Sequence, residues 1–176
     1  MKSDFLSKKS ISVIVIVILG IVLASYLVLL ETETASSGTD IGDKAPNFTL
    51  MSVGGENFSL RDYEGKVVIL TFFSVNCPAC KGETIALKRI RSFYTKGEVG
   101  MISIDIGNRD KDTVNEFKKL FGGDWRFASS MEVGFEKYKV GSIPTIYVLD
   151  PNQRIVFKKV GKLSNAKLKD IIDNHL

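Results

Sequence analysis

The 176-residue chain is poor in the side chains that staple or metallate small domains: it has two cysteines, Cys77 and Cys80, and one histidine, His175. Two cysteines are too few for a disulfide-stapled scaffold. A structural zinc site takes four Cys or His ligands, so these three side chains cannot complete one within the chain, and no metal is expected. There is also no basic stripe with interleaved aromatics. The formal net charge is only +4, and half of it comes from Lys2, Lys8 and Lys9 less Asp4. Nucleic acid is therefore not an expected partner, and Lys118-Lys119 and Lys158-Lys159 read as solvated faces. No CxxCH haem-attachment sequence, internal repeat or low-complexity segment occurs. The single Trp125 lies far from the cysteines in sequence and reads as packing.

Aliphatic and aromatic residues run through the whole chain, which separates it from disordered sequences. Residues 11–30, ISVIVIVILGIVLASYLVLL, carry no charge. At about 1.5 Å per residue, such a helix matches a hydrocarbon core of about 30 Å. Lysines precede the run, and Glu31, Glu33 and Asp40 follow it. That bias puts residues 1–10 in the cytoplasm and the rest of the chain outside. A cleaved signal peptide is the rival reading. However, the apolar run continues through the small-residue site Val22-Leu23-Ala24, and no cysteine follows to take a lipid. The expectation is an uncleaved single-pass anchor at 11–30, a flexible polar linker at 31–40, and one extracytoplasmic domain at 41–176, long enough for a real core.

Within that domain, residues 48–50 and 58–60 read as short strands joined through Gly54-Gly55, an N-terminal β-hairpin. Residues 66–74, KVVILTFFS, form a dense run suited to a strand buried on both faces. A helix is expected from the cysteines to about Tyr94, with Ala86, Ile90 and Phe93 on one face. A second buried strand spans 99–106, and a helix spans 110–121 with Val114, Phe117 and Phe121 on one stripe. A short strand near Arg126-Phe127 and a helix around 131–138 follow. A third strong strand (143–149) turns at Asp150-Pro151-Asn152-Gln153 into a returning strand (154–160). A helix from about Asn165 closes the chain, with Ser164 as its N-cap. This order implies an α/β domain: a central mixed sheet with helices on both faces.

The cysteines sit in Asn76-Cys77-Pro78-Ala79-Cys80, where a buried strand ends and a helix begins. A helix N-terminus favours an anion, and the thiolate is the nucleophilic form of cysteine. Pro78 fits the first helical turn, where no N–H is needed. Cys80 lies one turn deeper. These positions give the roles: Cys77 attacks a substrate disulfide, and Cys80 resolves the mixed disulfide. The bland readings are two small buried hydrophobes, or half of a metal site shared between chains. Glu83, one turn past Cys80, suits proton relay to the resolving thiol; a solvent-facing glutamate is the alternative. Ile143-Pro144 opens a strand that otherwise looks central, where proline fits poorly. Either a cis peptide or an ordinary trans proline at a strand start would account for it.

The chain from Ile41 onward resembles the thioredoxin superfamily, in particular its membrane-tethered, extracytoplasmic thiol–disulfide oxidoreductases of the TlpA/ResA type. The resemblance rests on IGDKAPNFTL, SLRDYEGKVVILTFF, NCPAC, Glu83 and Ile143-Pro144-Thr145. It implies a thioredoxin-like fold, with a cis Pro144 against Cys77 and the backbone of Ile143 pairing with a substrate peptide. It implies catalysis by Cys77, Cys80 and Glu83, with no cofactor beyond the redox-active Cys77–Cys80 disulfide. Its substrates would be protein disulfides or dithiols, in cytochrome c maturation or disulfide repair, with a membrane thiol-reductant as electron donor. Two features depart from that group: Asn76 stands where tryptophan is common, and Pro78-Ala79 is neither Gly-Pro nor Glu-Pro. The dipeptide helps set the redox potential and with it the direction of electron flow.

Two other activities share parts of this pattern. Peroxiredoxins carry Pro-x-x-x-Thr-x-x-Cys; counting back from Cys77 gives Ser74 and Leu70, so the proline is missing. Copper chaperones of the SCO type use Cys-x-x-x-Cys and a later histidine within the fold. Here the spacing is one residue shorter, and His175 is next to the C-terminus.

Overall fold

The computed structural model describes residues 8–31 and 37–176, with side chains described for 13–25 and 37–176. Residues 1–7 of the expected cytoplasmic tail and 32–36 of the expected linker lie outside the described residues. The chain divides into two compact units after Ser36.

The first unit holds α1 (Lys8–Glu31), a single 24-residue helix. Its described aliphatic side chains, from Val13 to Leu23, are exposed all round rather than packed along one stripe. Among the described residues no helix is long and apolar enough to cross a membrane. The part of α1 with described side chains is about 20 Å long, which stops short of the expected anchor.

The second unit is built on a five-stranded sheet ordered β5-β4-β3-β6-β7. β3 (Val67–Phe73) and β4 (Val99–Asp105) are buried at every position, as expected of predominantly apolar strands covered on both faces. β5 (Arg126–Ser129) and β4 run parallel to β3, whereas β6 (Thr145–Leu149) and β7 (Ile155–Val160) continue the sheet antiparallel. Two crossovers, through α2 (Pro78–Arg91) and α3 (Lys111–Phe121), step the same way along the sheet. Right-handed connection therefore places both helices on one face, and α4 (Asn165–Asp173) joins them. Alternation along β3 divides the core between the faces. Ile69 and Phe73 meet Leu87, Ile90, Phe117 and Ile172 on the helical face. Val68, Leu70 and Phe72 meet Phe48, Phe58 and Tyr138 on the other.

Shorter elements cover that second face. It is covered by β1 (Thr49–Met51) and β2 (Asn57–Ser59), a separate antiparallel pair, and by a 3-10 turn at Leu60–Tyr63. The segment expected as a helix near 131–138 forms a π-helical turn at Glu132–Lys137. Gly134 lets that turn's backbone lie against Ile106 and Phe72, where a Cβ would collide with Ile106. Tyr138 then closes the face, its hydroxyl donating to the Pro46 carbonyl at 2.8 Å.

Two boundaries also move. The folded unit begins by Ser37, inside the expected linker: Gly38 N–H donates to Lys44 O at 3.2 Å, and Lys158 Nζ to Thr39 O at 3.0 Å. α2 ends at Arg91 with Ser92 as its C-cap, so Phe93 falls beyond the helix and is 61% exposed. The buried stripe of α2 is Cys80, Glu83, Thr84, Leu87 and Ile90, not the Ala86-Ile90-Phe93 row.

Candidate active site

The site forms at the edge where β3 and β4 end and β6 begins. Register fixes this: Phe73 lies opposite Asp105, and Phe72 opposite Thr145. β3 delivers the chain to Ser74, whose carbonyl accepts the Cys77 N–H at 3.0 Å. Cys77 is the N-cap of α2, and Pro78 occupies the first helical turn. The Cys80 N–H donates to Cys77 Sγ at 3.1 Å. A thiolate at Cys77 would keep that bond as a charge-assisted one and would sit at the positive end of the helix dipole.

Cys77 and Cys80 form a disulfide, with their Cα atoms 5.2 Å apart. The two sulfurs differ in access. Cys77 is partly exposed, between exposed Asn76 and Pro78, whereas Cys80 is fully buried in the helical-face core. Only Cys77 can be reached by a partner in this arrangement, and Cys80 is the sheltered sulfur beside it.

Glu83 is not the solvent-facing glutamate of the alternative reading. It is 2% exposed on the buried stripe of α2, one turn below Cys80. Its Oε2 accepts the Leu163 N–H at 3.2 Å, and its Oε1 has no partner. Burial holds its carboxyl above the ordinary glutamate value of 4.5, while the Leu163 hydrogen bond and the Lys162 charge oppose that shift. A carboxyl so placed can take up and release a proton nearer neutrality than an exposed one.

The sign of the shift makes a stability prediction. A raised carboxyl pKa in the folded state means that folding favours protonated Glu83. The stabilising contribution is complete below the unfolded value and fades as pH rises through the folded value. Glu83→Gln should therefore gain melting temperature over the parent progressively above about pH 4.5, with no gain below it. Melting curves at pH 4, 6 and 8 check this; a difference that does not change with pH would contradict it.

The Ile143–Pro144 peptide bond is cis. Pro144 is buried and Ile143 partly exposed, with Ile143 packed against the same cluster as Cys77. The Pro144 carbonyl accepts the Gly161 N–H at 2.8 Å, but among the described residues neither backbone group of Ile143 makes a backbone hydrogen bond. The structure thus brings Cys77, Cys80, Ile143 and Pro144 to one edge, with Glu83 beneath them. The loop after β7 ties both sides together, Gly161 to Pro144 and Leu163 to Glu83.

One residue of the site escaped sequence reasoning. Asp105, at the end of β4, is fully buried and accepts from the backbone N–H groups of Val75 (3.1 Å), Gly107 (3.0 Å) and Arg109 (3.3 Å). It thereby pins the loop leading to Cys77 against the loop leading to α3. A signal was present: an aspartate closing an apolar strand just before Gly107-Asn108 is typical of side chains that bond backbone two residues on.

Comparisons with known proteins agree with this geometry. The Redoxin family model matches residues 40–173. The thiol-disulfide oxidoreductase ResA of Geobacillus thermodenitrificans is 28% identical over 163 residues, covering 92% of this chain and 91% of that protein. Among solved structures, a protein from Chlorobium tepidum assigned as the thiol:disulfide interchange protein DsbE superposes with a TM-score of 0.70 at 23% identity, over 78% of this chain and 99% of that one. StoA from Bacillus subtilis gives a TM-score of 0.61 at 22% identity, over 74% and 98%. These two structures share the fold: a thioredoxin-like mixed sheet with flanking helices.

Proposed function

The chain belongs to the Redoxin family and is a thiol–disulfide oxidoreductase of the thioredoxin superfamily; we propose that it reduces disulfides of other proteins outside the cytoplasmic membrane. The observation that carries this is the asymmetry of the pair: a reachable Cys77 at a helix N-terminus and a sheltered Cys80 above a buried carboxyl.

The Cys77 thiolate attacks one sulfur of a substrate disulfide. A mixed disulfide forms, and the other substrate sulfur leaves as a thiolate that takes a proton from solvent. Cys80 passes its proton to the Glu83 carboxylate, and the resulting thiolate attacks Cys77 Sγ. The Cys77–Cys80 bond forms, and the second substrate sulfur leaves as a thiolate and is protonated. Two electrons have then moved from the cysteine pair to the substrate, with no cofactor besides the pair. The free backbone groups of Ile143 hold the substrate segment as an added strand beside Pro144. A membrane thiol-reductant restores the dithiol. Proteins with exposed disulfides are the substrate class, apocytochrome c among them. Full-length protein in detergent should catalyse insulin reduction by a small dithiol; a rate no higher than the dithiol alone would overturn the reading.

The location rests on sequence. Residues 11–30 are uncharged and follow a lysine-bearing N-terminus, and the ResA match, at 92% of this chain, extends into that run. With the domain outside, a membrane-impermeant maleimide should label Cys77 in intact, reduced cells. Labelling only after lysis would contradict this placement.

A further inference from the structure

Two side-chain oxygens, Glu83 Oε1 and Thr71 Oγ1, are buried without a hydrogen-bond partner among the described residues. Both residues are 2% exposed. Such groups are few in native proteins, and each one calls for a physical explanation. These two share one interface. Thr71 lies between Ile69 and Phe73 on β3, so strand alternation turns it toward the face that carries α2. Their depths also match. Thr71 is two residues, about 7 Å, before the end of β3. Glu83 is five residues, about 7.5 Å, into α2, and a helix that joins two parallel strands must run back over them.

Glu83 Oε2 is already held by the Leu163 N–H. The carboxyl is therefore anchored through one oxygen, with the second free to face the sheet. In the run Val67-Val68-Ile69-Leu70-Thr71-Phe72-Phe73, Thr71 is the sole polar side chain. A valine would fill the same volume with no hydroxyl to satisfy, so packing alone does not account for threonine here.

We propose that Thr71 is a positioning residue for Glu83: its hydroxyl and Glu83 Oε1 share one bound water between β3 and α2. The proposal rests on the reading of Glu83 as proton carrier for Cys80. One water can donate to both oxygens, and a threonine hydroxyl can give or accept in return. Held at both oxygens, the carboxyl keeps one orientation below Cys80 in either protonation state. The charged group acting on Glu83 from another element is Lys162, in the loop after β7. On its own helix the titratable neighbours are Cys77 and Cys80, which carry no charge as a disulfide. β6 and α4 present apolar groups to this face, including Ile146, Val148, Leu168 and Ile172. A water donating to Oε1 favours the ionised carboxyl, as Lys162 does, so its loss should raise the protonation midpoint of Glu83.

The test is carboxyl carbon NMR titration of Glu83 in the oxidised full-length protein, with the signal assigned by its loss in Glu83→Gln. Thr71→Val should raise the Glu83 midpoint by about one pH unit, tenfold in the ionisation constant. Thr71→Ser, which keeps the hydroxyl, should stay within about a third of a unit of the parent. An unmoved midpoint in Thr71→Val overturns the proposal. So does a Thr71→Ser protein that shifts as far as Thr71→Val, because the effect would then be one of packing. The underlying reading of Glu83 fails on a different measurement: an unchanged pH profile of Cys80 alkylation in reduced Glu83→Gln.

Discussion

Cys77→Ser will lose catalysed disulfide reduction altogether, a fall of at least about 10³-fold, while Cys80→Ser will stop halfway. The two variants differ because the two sulfurs do. Cys77 is the partly exposed N-cap of α2, and its sulfur already accepts the Cys80 N–H. Serine there keeps the cap but offers no thiolate, so no mixed disulfide can form. Cys80 is fully buried. Its loss leaves attack by Cys77 intact and removes the only thiol placed to release the substrate. Cys80→Ser should therefore accumulate a covalent adduct with insulin or another protein disulfide, seen as a reducible band on a non-reducing gel. An adduct that forms on Cys80 in Cys77→Ser, and not on Cys77 in Cys80→Ser, would reverse the assigned roles.

Asp105→Ala should be the most damaging substitution outside the cysteine pair. Its carboxylate accepts three backbone N–H groups and the Ser129 hydroxyl, the last at 3.4 Å. Alanine would leave the buried Val75 N–H unpartnered and free both loops at the active-site edge. The expected cost is about 2–4 kcal/mol, a fall in melting temperature of about 10 °C. Because Val75 lies two residues before Cys77, the reactive sulfur would also lose its fixed position. A fall in kcat/KM of about tenfold at temperatures where the variant is folded is expected from misplacement alone. Asp105→Asn keeps one accepting oxygen and should fall between. An alanine variant that melts with the parent would show that the loops hold themselves.

What the sequence made legible was local. The runs that became β3, β4 and β6 are predominantly apolar, and few other structures accommodate such runs in a domain of this size. The cysteine pair at a strand-to-helix junction could be placed for the same reason, and Pro78 marked the first turn. The burial of Glu83 was not legible. Position three beyond Cys80 shares its helix face, but which face is covered depends on α4 and on the Leu163 loop, some 80 residues later. The form of one element on the second sheet face was not legible for a similar reason. A helical pattern near Met131 was present, and the wide π-helical turn follows from Gly134 lying against Ile106, a contact between distant elements. Asp105 was read as one more strand residue, since its three N–H partners come from two loops whose approach only the fold reveals.

The measurement that tests the central claim most directly is the reduction potential of the Cys77–Cys80 couple, read by equilibrating the full-length protein with defined thiol–disulfide buffers. A protein that reduces disulfides should poise near the thioredoxin end of the range, about −270 mV. A value near about −120 mV, where the reduced form is the stable one and the pair oxidises its partners, would contradict the account.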